Sequence, residues 1–402
     1  MPEERTMNQN AGPMRRFSAD DAARLFFSAG FLLAALIGGL RALEGMGEIA
    51  ALAYPVRWHG HEMLLGFAPA LIAGYLVAAR APHLALLLFA GWLAARLALP
   101  ASLILDTGWP MLLSPLFTLA LALIAGAPFR RKEMRASNRI FALVLLIFPL
   151  ADIIHLGGVW IGRPAMEPAG LLLAADGLLA MLFLMGGRIL AATANGLAQR
   201  RGMRIDMRRA TLHERLGVGL LIGLFVLDGL DAPDAARGLV AAMAAGMVFV
   251  RLYHFRILGQ LIRPGVWKNP GGDHAAALLT LGYVWIAIGL FSRAIIGDLY
   301  WLTSPLVALH PAWIGGLGTL SATISLRSRH RRMAGSSHLP LSMAWPVLLF
   351  TPAALARMLA IPDLPARAGW LLVAGSVWVF ACLWVAILHA GRIGSSTGSP
   401  RD

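Results

Sequence analysis

Two histidines and a glutamate fall within four positions, His59, His61 and Glu62, in the run RWHGHEM at 57–63. Almost every residue nearby is Leu, Ala, Gly or Ile. Imidazole and carboxylate are metal ligands, proton carriers and hydrogen-bond partners. Desolvating three of them together is costly without partners, so their presence beside an apolar run points to a site. Spacing restricts what that site can be. At 3.6 residues per turn, side chains two apart point about 200° from each other. The two rings therefore cannot bind one metal from an unbroken helix. Either His59 sits in non-helical backbone, or the rings serve different partners. Glu62 suits orienting an imidazole or relaying protons. The plain alternative is a polar helix start, with Glu62 favoured by the helix dipole and Trp58 as an interfacial anchor.

Other polar residues interrupt the apolar pattern. His310, followed by Pro311, lies inside an apolar run and is a candidate metal or haem ligand. Asp152 and His155 are three apart, and therefore on one helical face. Asp176 stands in a further apolar run. Arg96 and Arg293 near the ends of two others either snorkel to the interface or belong to a site. In Gly186-Gly187-Arg188, paired glycines let a helix or a ligand approach closely. Arg188 can then hold an anion such as a haem propionate, or simply follow a packing pair as a topology-setting charge. Gly315-Gly316-x-Gly318 suits close packing and equally leaves room for a planar cofactor. Seven further histidines, from His83 to His389, lie near the ends of apolar runs and read as interfacial background. The single cysteine, Cys382, excludes an intramolecular disulfide and a Cys-x-x-Cys-His haem attachment, so any haem is non-covalent, of b-type.

The elements that must carry these residues are membrane helices. The chain of 402 residues is 58% hydrophobic and 14% charged, against about 25% charged in soluble domains, and its mean hydropathy is +0.68. Apolar stretches of about 20 residues recur, enough to cross the hydrocarbon core as helices. Twelve are expected, near 25–44, 61–79, 83–100, 109–127, 139–158, 168–190, 212–230, 234–255, 273–295, 300–325, 341–360 and 367–389. The net charge of +14 does not mark a nucleic-acid protein, because the arginines sit in short connections and not in one aromatic-laced patch. Those connections alternate. Basic ones, such as 200–215 and 327–332, are separated by ones poor in positive charge, and Asp228, Asp231 and Asp234 follow the seventh span. This places both termini in the cytoplasm. The fold class is thus an all-α, multi-pass inner-membrane protein. A cytoplasmic segment at 1–24 precedes a twelve-helix domain at 25–390 and a disordered tail at 391–402. No soluble domain or internal repeat is apparent.

The motifs resemble the NnrS family, membrane proteins linked to nitric oxide metabolism. Four blocks carry the likeness in order: WHGHEMLLGFAPALIAGYL at 58–76; ASNRIFALVLL at 136–146 with Gly-Gly-Arg at 186–188; LGYVWIAIGL at 281–290; and HPAWIGGLGTL at 310–320. Length, span number and block order agree over nearly the whole chain. Three departures stand out. Thr280 replaces a histidine usual before Leu-Gly-Tyr, the Pro-x-Phe-Thr after Gly-Gly-Arg is eroded, and RSRHRR replaces Gly-His-Thr-Gly-Arg. The resemblance implies bound haem, copper as a further metal, a role in the nitric oxide response, and nitric oxide as a ligand. It makes His61 and His310 the first ligand candidates, with His59 next. Glu62 would orient a ligand or move protons, and Arg188 would hold an anionic group. Topology sets Arg188 at the opposite membrane side from His61, so one compact site cannot include both. The residues leave catalysis, substrate and oligomeric state open. A proton-coupled secondary transporter is the alternative, with Pro149 and Pro311 as helix breaks and Asp152, Asp176 and His310 as buried polar groups.

Overall fold

In the computed structural model the chain is described over residues 17–45, 56–105, 107–131, 136–200, 202, 204–257, 268, 274–296, 304–336, 338–362 and 364–391. Residues 1–16, Lys132, Arg135, Arg263 and the expected tail beyond 391 lie outside the described residues.

The described residues form helices joined by turns, with no strand element among them. In chain order the helices are α1 (Ala19–Gly45), α2 (Val56–His61), α3 (Ala68–Leu76), α4 (Pro82–Leu105), α5 (Leu113–Gly126) and α6 (Ala136–Trp160). Then come α7 (Met166–Met181), α8 (Gly187–Arg200), α9 (Met207–Gly229), α10 (Asp234–His254) and α11 (Ala275–Ala294). The last are α12 (Pro305–Ala308), α13 (Gly318–Ala334), α14 (Leu341–Leu348), α15 (Phe350–Leu359) and α16 (Arg367–Ala390). Three π-helical turns interrupt longer rods. Glu62–Phe67 joins α2 to α3, Leu182–Gly186 joins α7 to α8, and Ala312–Leu317 leads from His310 and Pro311 into α13. Such turns are rare and gather at functional sites. Here each adjoins one of the polar motifs of the sequence.

Each of the twelve expected segments contains helix among its described residues. Nine stretches among the described residues are long and apolar enough to cross a membrane. The other three expected segments miss that standard for visible reasons. The rod Val56–Leu76 begins with His59, His61 and Glu62, Pro82–Ala98 is apolar but short, and Pro305–Ala334 carries His310, Pro311 and arginines from Arg327 onward. Around the bundle, large apolar side chains such as Leu87, Ile104, Leu143, Leu239, Phe291 and Ile387 are exposed, the surface a lipid-facing helix needs. Inside, Phe26, Phe31, Phe67, Phe141, Phe183 and Phe350 are fully buried.

The start of α1 meets the ends of α13 and α16. There Arg24 donates to the backbone oxygens of His389 (3.0 Å) and Ala390, and Arg332 pairs with Asp20 at 2.9 Å. The α9 N-cap lies against the end of α10, where His254 Nε2 is 2.9 Å from the Asp206 carbonyl oxygen. Asp206 accepts from the backbone N–H groups of Arg208 and Arg209, and the Arg209 N–H holds its carboxyl below the usual range.

Helices α6 and α7 pack closely because Gly170 has no side chain. A Cβ there would lie 2.5 Å from the His155 backbone nitrogen and 2.6 Å from the Ala151 carbonyl oxygen, which are backbone atoms that cannot swing away. Gly170→Ala should therefore force α7 off α6 and cost about 1–3 kcal/mol. Gly157→Ala, which meets nothing within 4 Å, should be neutral or gain up to about 1 kcal/mol. Thermal unfolding midpoints of the two variants in detergent check the contrast, and equal midpoints would refute the close packing.

Candidate functional site

The π turn Glu62–Phe67 directly follows the paired polar residues, and His61 and Glu62 are turned inward and buried. The His61 ring is held at both nitrogens. Nδ1 lies 3.0 Å from Glu62 Oε1, and Nε2 lies 2.9 Å from Asp152 Oδ1 on α6. The Arg96 guanidinium on α4 stands 2.7 Å from Glu62 Oε2 and donates to Ser114 Oγ at 3.0 Å. Ser114 Oγ on α5 donates to Asp152 Oδ2 at 2.8 Å, and Thr118 Oγ1 reaches the same oxygen at 3.2 Å. His155, one turn beyond Asp152, stacks on His61 with ring centroids 5.2 Å apart and donates from Nδ1 to the Glu167 carbonyl at 2.9 Å. Residues from α2, α4, α5, α6 and α7 thus meet in one buried network.

Its chemistry follows from the donors. An ionised carboxylate only accepts hydrogen bonds, so with Glu62 and Asp152 both ionised His61 donates from both nitrogens as an imidazolium. Glu62 and Asp152 are then balanced by Arg96 and His61, which lets four charges stay buried together. In this arrangement His61 has no lone pair left for a metal.

His59 points elsewhere. Its Nδ1 is buried with no hydrogen-bond partner. His310 donates from Nδ1 to the Val307 carbonyl at 3.0 Å, which leaves Nε2 as an acceptor. A ring fixed by a backbone carbonyl at one nitrogen and open at the other is the usual state of a metal-binding histidine. Both rings lie within electrostatic range of each other and of Arg357 on α15. Arg41, near the end of α1, acts on His59 as well, and is itself paired with Glu44 at 2.7 Å. The two histidines of RWHGHEM therefore serve different partners, although both are helical. Among the described residues, no three His, Cys, Asp or Glu side chains are grouped as ligands of one ion.

Arg188 is separate from both groups. It lies at the start of α8, while Glu167 stands at the start of α7. The 21-residue separation at 1.5 Å rise is about 30 Å. Arg188 Nη2 is 3.6 Å from Glu214 Oε1, and Arg251 Nη2 is 3.8 Å from Glu214 Oε2. The Arg251 guanidinium lies 4.4 Å over the Phe183 ring and donates to the Phe183 carbonyl at 3.0 Å. Gly187 leaves the room that this guanidinium occupies. In Gly-Gly-Arg the second glycine thus makes space for another arginine, and Arg188 faces a carboxylate of the protein itself.

A third buried group joins α7, α9 and α11. Arg293 donates to Asp176 at 2.8 Å and is ion-paired with Asp228. Arg96 and Arg293 are buried in ion pairs and do not snorkel. Sequence reading set Asp152 and His155 on one face but did not join them to His61. Ser114 and Thr118 carry no sequence signal, since hydroxyls inside membrane helices commonly bond to their own backbone. His274 and His389, expected at the interface, are fully buried, with His389 Nε2 at 3.0 Å from Ser325 Oγ. Thr280, in place of the usual histidine, is buried and donates to the Ala276 carbonyl at 2.8 Å.

A family model described as NnrS protein matches residues 20–393, nearly the full length of the chain. No curated protein matches it.

Proposed function

Because the chain belongs to the NnrS family, we propose that it is a haem-binding inner-membrane protein of the nitric oxide response, with His310 and His59 as ligands and copper as a candidate second metal. The observation that carries this reading is the pair of open nitrogens, Nδ1 of His59 and Nε2 of His310, on rings that reach each other electrostatically. Two imidazoles with free lone pairs fit a haem iron or a copper ion. His61, occupied at both nitrogens, moves from first-choice ligand to a supporting role. Through Glu62 and Asp152 it fixes the start of the α2–α3 rod, and so the position of His59. Bound iron or copper would supply the affinity for nitric oxide. Arg188, which faces Glu214, is assigned to packing and not to the ligand. Twelve spans with both termini in the cytoplasm, flanked by segments 1–24 and 391–402, complete the proposed arrangement.

The test is cofactor content. Protein purified from cells supplied with haem and copper should show a b-type pyridine haemochrome. His310→Ala and His59→Ala should each lose most of it, while His61→Ala should keep the spectrum in whatever fraction remains folded. Wild-type protein lacking both haem and copper would end the reading. The buried Asp176–Arg293–Asp228 group favours a second reading, a proton-coupled transporter of a small solute. Uptake into proteoliposomes driven by a pH gradient, and lost in His310→Ala, would support that instead.

A further inference from the structure

Helices α9 and α10 pack together as a hairpin joined by the turn at 230–233. At its open end, where α9 starts and α10 finishes, two imidazoles meet. The ring centroids of His213 and His254 are 5.1 Å apart, with the ring planes at 88°. His254 Nε2 lies 2.9 Å from the Asp206 carbonyl oxygen. A carbonyl only accepts, so Nε2 carries the proton, and Nδ1 of the neutral ring keeps its lone pair. His213 Nδ1 is buried and has no hydrogen-bond partner.

An imidazole that gives one N–H to a backbone carbonyl and keeps its other nitrogen open is ready to bind a metal. The spacing of the pair fits one ion. With a metal–nitrogen bond of about 2.0–2.1 Å, each ring centroid stands about 3.2 Å from the metal. Two such rings at a tetrahedral angle have centroids about 5.2 Å apart. An edge-to-face ring pair has similar spacing, but it leaves the buried Nδ1 of His213 desolvated without a partner. Two arginines flank the pair, and each has a carboxylate of its own. Arg209 Nε is 3.4 Å from Asp206 Oδ2, and Arg251 Nη2 is 3.8 Å from Glu214 Oε2. We infer that His213 and His254 hold a divalent metal ion of the zinc class at the open end of the α9–α10 hairpin. Among the described residues no third His, Cys, Asp or Glu is grouped with the pair, so water completes the coordination. The ion ties the start of α9 to the end of α10, as the 230–233 turn ties their other ends. Nothing in this site depends on His59, His310 or haem.

The experiment uses full-length protein in detergent, purified through a tag free of histidine, stripped with chelator and titrated with zinc chloride by calorimetry. Wild type should bind one more equivalent of zinc than the double variant His213→Gln with His254→Gln. Zinc should raise the thermal midpoint of wild type and leave that of the double variant unchanged. Each single variant should bind that equivalent at least about 10-fold more weakly. Gln at 254 keeps a donor for the Asp206 carbonyl and removes the metal-binding nitrogen, so it separates ligation from packing. A second measurement needs no variant: zinc should slow modification of His213 and His254 by diethyl pyrocarbonate in wild type at least about 10-fold, read by peptide mass spectrometry. The proposal is overturned if wild type binds no more zinc than the folded double variant, or if zinc leaves modification of both histidines unchanged. Protein that binds this equivalent of zinc but no haem would remove the haem reading and leave the zinc site standing.

Discussion

Asp152→Ala should destabilise the protein by about 3–5 kcal/mol, the cost of leaving a buried charge without its partner. Asp152 is fully buried, and three side chains converge on it: His61 on Oδ1, and Ser114 and Thr118 on Oδ2. Removing the carboxylate leaves the His61 imidazolium and Arg96 to share Glu62. Two positive groups then face one negative group at a buried position. Ser114 and Thr118 lose an acceptor too, but each can turn to a backbone carbonyl of its own helix, as Thr118 already does toward Ser114 and Pro115 at 3.2 Å. Most of the loss should therefore come through His61. Asp152→Asn is the sharper comparison. It keeps shape and one acceptor oxygen but not the charge, and should cost about 1.5–3 kcal/mol, the range for one charge-assisted hydrogen bond. Ser114→Ala should cost about 1 kcal/mol. Unfolding in mixed detergent–SDS micelles ranks the three. An Asp152→Ala protein as stable as Ser114→Ala would show that His61 carries no charge in this network.

The parts of this site that could be read from sequence were those with a local period. On an unbroken helix His59 and His61, two apart, have to diverge, and they do: one ring bonds to Asp152, and the other keeps a buried Nδ1 with no partner. Asp152 and His155, three apart, had to share a face, and both face His61. What joins α2 to α4, α5 and α6 has no period. Arg96 is 34 residues from Glu62 and Asp152 is 91 from His61, separations set by helix packing and not by any one helix. An arginine near the end of an apolar run reads the same whether it snorkels or pairs. Only the partner across the bundle decides, which is why Arg96 and Arg293 could not be assigned. Span number was blurred by a related effect. The rods that carry His59 and His310 spend hydropathy on polar residues and glycines, so these segments look least like membrane helices. The π turns were equally invisible, because a widened turn alters hydrogen bonding without a fixed residue signature.

Arg293→Met should bring the second large effect, again about 3–5 kcal/mol. Arg293 is the cation between two carboxylates, Asp176 on α7 and Asp228 on α9, and all three are buried in their side chains. Met fills similar volume but leaves the two carboxylates facing each other. Arg237 offers little relief. Its Nη1 is 4.0 Å from Asp228 Oδ1, and its nearest contact is the exposed Asp234 at 2.7 Å. Arg237→Ala alone should therefore cost under about 1 kcal/mol, as for surface pairs. The decisive variant is the double one. If Arg293 serves to neutralise these carboxylates, Asp176→Asn added to Arg293→Met should restore part of the lost stability, because it removes one of the two stranded charges. The coupling between the two substitutions should be about 0.5–3 kcal/mol and favourable. Strict additivity in SDS unfolding would mean that Arg293 acts by filling space. The same pair separates structure from transport. A purely structural triad allows Arg293→Met with Asp176→Asn to regain part of the lost folding. A proton-carrying Asp176 would leave the double variant folded but unable to respond to an imposed pH gradient.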